Sequence, residues 1–152
     1  MIDYDSMEDR LVIFGSIFTV SNRLQSVMDQ QLPELSAKQW FVLTMLSFFE
    51  HPPSLIGLAK VCDSSYQNIK QIVLKLQEKG FVILEDDADD KRAKRVVMTS
   101  KVSEWSAKTH ELANQFVNTL FEPLSAEQIN ELRNSLLTLH KTLGEMQNEE
   151  KS

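Results

Sequence analysis

The chain has 152 residues, 42% of them hydrophobic, with four Gly, four Pro and a single Cys. That suits one compact domain, or one lobe plus an oligomerisation lobe, and it excludes an internal disulfide framework. The formal charge is −6; the acidic start is unlike a leader peptide and no apolar run approaches membrane-spanning length, so a cytoplasmic protein without a membrane partner is expected.

Residues 7–31 predict one long helix. Leu11, Phe14, Ile17, Phe18, Val20, Leu24, Val27 and Met28 give it a broad apolar face, and Pro33 ends it. A second helix starts at Ser36, where Ser36-Ala37-Lys38-Gln39 reads as a capping box stapled by Leu35 and Trp40. It runs through Phe41, Val42, Leu43, Leu46 and Phe49 to Pro52, and so apolar a helix is expected to be largely buried. Ser54 is placed to cap a third helix whose apolar face is Leu55, Leu58, Ala59 and Val61. Asp63-Ser64-Ser65 is a short polar turn, and Ser64 or Ser65 can cap the next helix. There Ile69, Ile72, Val73 and Leu76 fall on one side and must pack inward. Gly80 suits a left-handed C-cap.

Phe81-Val82-Ile83-Leu84 and Arg95-Val96-Val97-Met98 are short β-rich runs. The charged segment between them is too polar to bury, so a hairpin with its tip in solvent or against a phosphate backbone is predicted. Residues 101–121 form another amphipathic helix, with Val102, Trp105, Leu112, Phe116, Leu120 and Phe121 inside and Pro123 as its stop. The start signal recurs at Ser125-Ala126-Glu127-Gln128, stapled by Leu124 and Ile129, but the segments that follow the two caps do not match, so this is no internal repeat. The last helix carries Ile129, Leu132, Leu136, Leu139 and Leu143 in a narrow seam, as in helix pairing. Gln147 to Ser152 are polar and expected to fray.

The predicted class is mostly α with a small β-hairpin wing. Residues 36–100 form a winged helix-turn-helix, and 1–35 with 101–152 form a helical dimerisation region. Helix, turn, helix and charged hairpin in that order make a device for reading DNA. The expected contacts on the second helix are Ser64, Ser65, Gln67, Asn68, Lys70, Gln71 and Lys75. Gln and Asn can bond bidentately to adenine, and Lys can reach guanine or phosphate. The hairpin adds Asp90, Arg92, Lys94 and Arg95, and an arginine at a wing tip suits the minor groove. A solvated helix face or a soluble loop explains either part alone; the ordered combination is more specific. Residues 54–108 hold ten Lys and Arg against eight Asp and Glu, a balance of +2, and the rest of the chain is at −8. The local field governs binding, although the acidic total predicts weak nonspecific affinity and steep salt dependence.

These residues resemble the MarR (multiple antibiotic resistance regulator) family. The family's Asp-x-Arg wing followed by Leu-Thr is similar to Asp90-Lys91-Arg92 and Val96-Val97-Met98-Thr99. Its Leu-Ala matches Leu58-Ala59, and its Leu-x-x-x-Gly matches Leu76 to Gly80. The flanking helices also fit, so the resemblance covers nearly the whole chain. It departs at Gln71 and Leu84, where relatives often carry Arg, at Val102, where they often carry Gly, and in a wing made acidic by Glu85, Asp86, Asp87, Asp89 and Asp90. The resemblance implies that Arg92 is the minor-groove contact, oriented by Asp90. It also implies a homodimer built by the first and last two helices, and a small lipophilic or aromatic effector held between dimer and DNA lobes. A two-fold dimer sets two reading helices about 34–36 Å apart, over a near-palindromic site.

Phe14, Phe18, Trp40 and Trp105 are candidates for that effector pocket, although such residues are more often core. Cys62 reads as a small buried hydrophobe, since a redox sensor needs an exposed, low-pKa thiol. His51, His110 and His140 are too far apart to suggest a zinc site. No nucleophile–base pair, phosphate-cradling loop or paired-carboxylate motif appears, so neither an enzyme nor a cofactor is expected. The leading expectation is a homodimeric, sequence-specific transcriptional regulator of the repressor type, acting on double-stranded DNA. The rivals are a winged-helix protein-interaction module, which the acidic wing suits, and an enzyme with an unrecognised site.

Overall fold

The computed structural model describes residues 6–87 and 93–149. In order they form α1 (Asp9–Gln31), α2 (Ala37–Leu46), α3 (Leu55–Val61), α4 (Tyr66–Glu78), β1 (Val82–Asp86), β2 (Lys94–Met98), α5 (Ser100–Phe121) and α6 (Ala126–Glu149). The class is mostly helical with one antiparallel hairpin, as expected. The chain divides into two compact units, 1–107 and 108–152.

In the first unit, local sequence signals set the helix starts. Ser36 Oγ accepts from the Gln39 amide at 3.2 Å, and Gln39 Oε1 accepts from the Ser36 amide at 3.2 Å, which completes the capping box. Asp29 Oδ1 accepts from the Ala37 amide at 2.6 Å, so a carboxylate of α1 sits at the positive end of α2. Ser54 caps α3 through the Gly57 amide, and Ser65 caps α4 through the Asn68 amide. At the end of α4, the Gly80 amide donates to the Gln77 carbonyl and the Phe81 amide to the Leu76 carbonyl, with Gly80 at φ +80°. This is a Schellman ending, and it turns Phe81 into the core.

Several boundaries differ from the sequence reading, α2 and β1 the most. α2 stops at Leu46 rather than running to Pro52. The amides of Phe48 and Phe49 reach carbonyls only three residues back, and Ser47 Oγ bonds to the Thr44 carbonyl, so the last turn tightens and peels away. Phe49 packs on the core while Phe48 is exposed, and Phe41 on α2 is exposed as well. β1 starts at Val82, one residue late, because Phe81 is committed to the helix ending, and it continues to Asp86.

In the hairpin Val82 pairs with Met98, Leu84 with Val96, Glu85 with Arg95 and Asp86 with Lys94. A bridge from Ser54 to Arg95 and a bond from the Val96 amide to the Pro53 carbonyl attach the hairpin to the start of α3. The core lies beneath it: Val42, Leu58, Ile69, Val73, Leu76, Phe81, Val82 and Val96 are fully buried. Trp105 of α5 stacks edge-on against Phe81 at 6.2 Å and donates its Nε1–H to the Pro33 carbonyl at 3.0 Å.

The corner between α1 and α2 is held by lysines. Lys79, at the end of α4, donates to the Glu34 carbonyl and to Oε1 of buried Gln39. Lys101 pairs with the Glu34 carboxylate at 2.9 Å, donates to the Lys79 carbonyl at 2.9 Å and lies 4.6 Å over the Phe81 ring. Glu34 itself sits at φ +67°.

No residue of α1 is buried. The sequence reading looked for an unbroken apolar run and found none. However, an 18-residue window within the 23-residue α1 reaches a mean hydropathy of 1.2, and the helix is long and apolar enough to cross a membrane by length and composition. The small polar residues Ser16, Thr19, Ser21 and Asn22 and the charged Arg23 interrupt the run. In the second unit, Ser125 and Gln128 form the predicted capping box at 2.9 and 3.2 Å. Leu132, Leu136, Leu139 and Leu143 of α6 are exposed.

Candidate nucleic-acid interface

α4 is held by one face. Ile69, Val73 and Leu76 are buried and Ile72 is half-buried, so the opposite face is presented outward by rigid packing. That outer face holds Tyr66, Gln67, Lys70, Gln71, Leu74, Lys75 and Glu78, all exposed. Lys70 and Lys75 make no ion pair among the described residues. The predicted contacts on α4 fall into two groups. Gln67, Lys70, Gln71 and Lys75 project from the helix barrel. Ser64, Ser65 and Asn68 build its start: Ser65 is the cap, and Asn68 Nδ2 donates to Ser64 Oγ at 2.8 Å. Tyr66 and Leu74 share the outer face and were missed, because the sequence reading selected polar types; angular position on the helix would have included them.

The wing departs from expectation. Asp87, placed by the sequence in a solvent-facing tip, is only 6% exposed. Its amide donates to the Ala93 carbonyl at 3.1 Å, and its carboxylate takes the Arg95 Nε–H. Arg95 also donates to the Pro52 carbonyl at 3.2 Å, and Lys94 pairs with Asp86. Arg95 and Lys94, expected as cations available to phosphate, are therefore engaged within the hairpin. A carboxylate so desolvated requires a partner, and register supplies one by setting Arg95 opposite Glu85 and within reach of Asp87. Asp90 and Arg92 lie outside the described residues.

A cleft of about 360 Å³ opens between α1, α2 and the start of α4, lined among others by Leu24, Met28, Trp40, Ile69 and Ile72. Of the four aromatic residues nominated for an effector pocket, Trp40 alone lines it. Trp105, 8% exposed, belongs to the core. Phe14 and Phe18 sit edge-to-face at 5.6 Å on the open face of α1. Cys62 also borders the cleft; it is a buried free cysteine, and burial first and the Asp63 carboxylate second push its thiol pKa up. This is the inert environment expected of it rather than that of a reactive thiolate. Among the described residues no three His, Cys, Asp or Glu side chains converge on a metal position.

No family model matches the sequence. Solved structures do match in shape. The organohalide-sensing transcriptional regulator RdhR in its 2,4-dichlorophenol-bound form superposes with a TM-score of 0.81 at 18% identity, over 93% of this chain and 85% of that one. A MarR/EmrR family transcriptional regulator from Acinetobacter sp. ADP1 gives 0.78 at 17% identity, over 91% and 99%. MepR from S. aureus, in a complex with DNA, gives 0.77 at 18% identity, over 86% and 97%. With six helices and a two-stranded wing among the described residues, and superposition over nearly its whole length, the chain has the winged-helix fold of the MarR family transcriptional regulators.

Proposed function

We propose that this chain is a MarR-family transcriptional regulator that binds a palindromic DNA operator as a homodimer, represses transcription in the cytoplasm and is released by a small lipophilic or aromatic ligand. The observation that carries this reading is α4: its inner face is locked in the core while Gln67, Lys70, Gln71 and Lys75 stand exposed. Base edges are read by such groups in the major groove, and cations on the same face meet phosphate. Residues 36–100 act as the DNA-reading domain, and 1–35 with 101–152 supply the dimer contact, which the bare apolar faces of α1 and α6 support. Arg92 enters the minor groove, oriented by Asp90, as the resemblance of the wing motif implies. The cleft beside Trp40 supports an effector site, because Asn68, Ile69 and Ile72 of α4 form part of its lining. A ligand that fits it better in the non-binding arrangement shifts the population away from the operator.

The test is selection of bound sequences from a random DNA pool at low salt, with Arg92→Ala as control. Enrichment of a palindrome that the control loses, while the control remains a dimer, is the expected result. Absence of any enriched sequence, together with a stable protein partner recovered without DNA, would instead favour a protein-interaction module. The acidic wing, with Asp86 and Asp87 beside Glu85, is the feature that favours that second reading.

A further inference from the structure

The outer face of α4 has an order that the polar residues alone do not reveal. Gln67, Gln71 and Leu74 stand at i, i+4 and i+7, which aligns them in one stripe along the helix. The stripe lies opposite Ile69, Val73 and Leu76, so it runs down the centre of the exposed face. Leu74 is 40% exposed there, an apolar side chain between Lys70, Gln71, Lys75 and Glu78. An exposed leucine is ordinary on a general surface. In the middle of a reading face it presents branched methyl groups where base edges would lie.

The chemistry of the stripe is selective. α4 contains no arginine, the residue that reads guanine best. Glutamine pairs bidentately with N6 and N7 of adenine, and an apolar side chain contacts the 5-methyl of thymine. From Gln67 to Leu74 the stripe spans about 10 Å at 1.5 Å per residue, or about three base steps. Of the other adenine-reading side chains on α4, Asn68 is bonded to Ser64 at the helix start and Gln77 lies off the stripe in the last turn, so the stripe carries the readout.

We infer that Gln67, Gln71 and Leu74 specify a short run of A·T pairs in each half-site, with Leu74 against a thymine methyl group. This rests on the DNA-binding reading above and adds the class of sequence recognised and a specificity-determining residue. The test uses the full-length protein and the sequence that the selection yields. Each thymine of a half-site is replaced in turn by uracil, which removes one methyl group and leaves every hydrogen-bonding edge intact. Wild-type protein is expected to bind about fourfold more weakly at one thymine position, the scale of one buried methyl-sized group. Leu74→Ala is expected to bind the thymine site with a similar deficit and to be indifferent to uracil at that position, the non-additivity of two groups in contact. Gln71→Ala is expected to show the same indifference to 7-deazaadenine, which lacks N7. Leu74 is on the surface, so an unfolding midpoint equal to wild type shows that the variant is intact. Selected half-sites dominated by G·C pairs, or a Leu74→Ala deficit that every uracil substitution simply adds to, would overturn the inference while leaving the regulator reading in place. Failure of the wild type to retain any sequence would overturn both.

Discussion

Residues 36–98 and the terminal helices α1 and α6 share the same regular apolar spacing and meet opposite fates. In the first region Leu58, Val73, Leu76 and Phe81 have no exposed surface. In the helices Phe14 keeps 65% of its surface exposed and Leu143 keeps 60%. The difference teaches that periodicity identifies the apolar face of a helix but not its cover. Short helices joined by tight turns fold back on one another and supply their own cover. Long helices at the two ends of the chain present more face than one copy can fill, and on our reading a second copy fills it.

The comparison can be broken first at its buried end. Phe81→Ala removes a fully buried ring that both Trp105 and Lys101 contact. It is expected to cost about 3–5 kcal/mol of unfolding free energy, measured by denaturant titration. A loss below about 1 kcal/mol would mean that Phe81 is not the centre of the packing. At the exposed end, Leu132→Lys with Leu136→Lys alters side chains that touch solvent in a single chain. Sedimentation is expected to show a monomer, and the unfolding midpoint is expected to lose its dependence on protein concentration. An unchanged mass would remove α6 from the dimer contact.

The wing sharpens the contrast at a smaller scale, because there a charged group follows the rule for apolar ones. Asp87→Asn leaves Arg95 without its carboxylate and is expected to cost about 1–3 kcal/mol of stability. Operator binding is expected to weaken with an unchanged slope against salt concentration. If Arg95 instead touched phosphate, its release from Asp87 would tighten binding and steepen that slope. The smallest effect concerns Cys62. Its thiol is held up by burial in the folded state, so the unfolded chain ionises first as the pH rises. Stability is therefore expected to fall as the pH climbs past the ordinary thiol range, and Cys62→Ala is expected to flatten that part of the profile. Equal alkaline slopes for the two proteins would show that the thiol is not desolvated.

The features legible in the sequence were those whose causes lie within a few residues. Ser36 with Gln39, Ser125 with Gln128, Ser54, Ser65 and Gly80 each act through a bond to a near neighbour, and all appear where expected. The order of helices and the hairpin followed from the same local signals. Arrangements that depend on distant partners were not legible. Arg95 looked like a free cation until the hairpin register brought Asp87 beside it and the strand bridge brought Pro52 within reach, 43 positions away. Trp105 read as inward-facing, and as a candidate for the pocket, but its partners Phe81 and Pro33 became visible only once α5 was placed. Leu74 was overlooked because a list of polar types has no place for a methyl group that reads another methyl group.

The lysine-bound corner at Glu34 gives α4 a polar tie outside its own packing face. Lys79 is the C-cap of α4, and it grips the main chain where α1 turns into α2. Lys101 holds the same glutamate from the start of α5. These bonds add to the apolar packing, so the last turn of α4 is tied directly to the loop between α1 and α2.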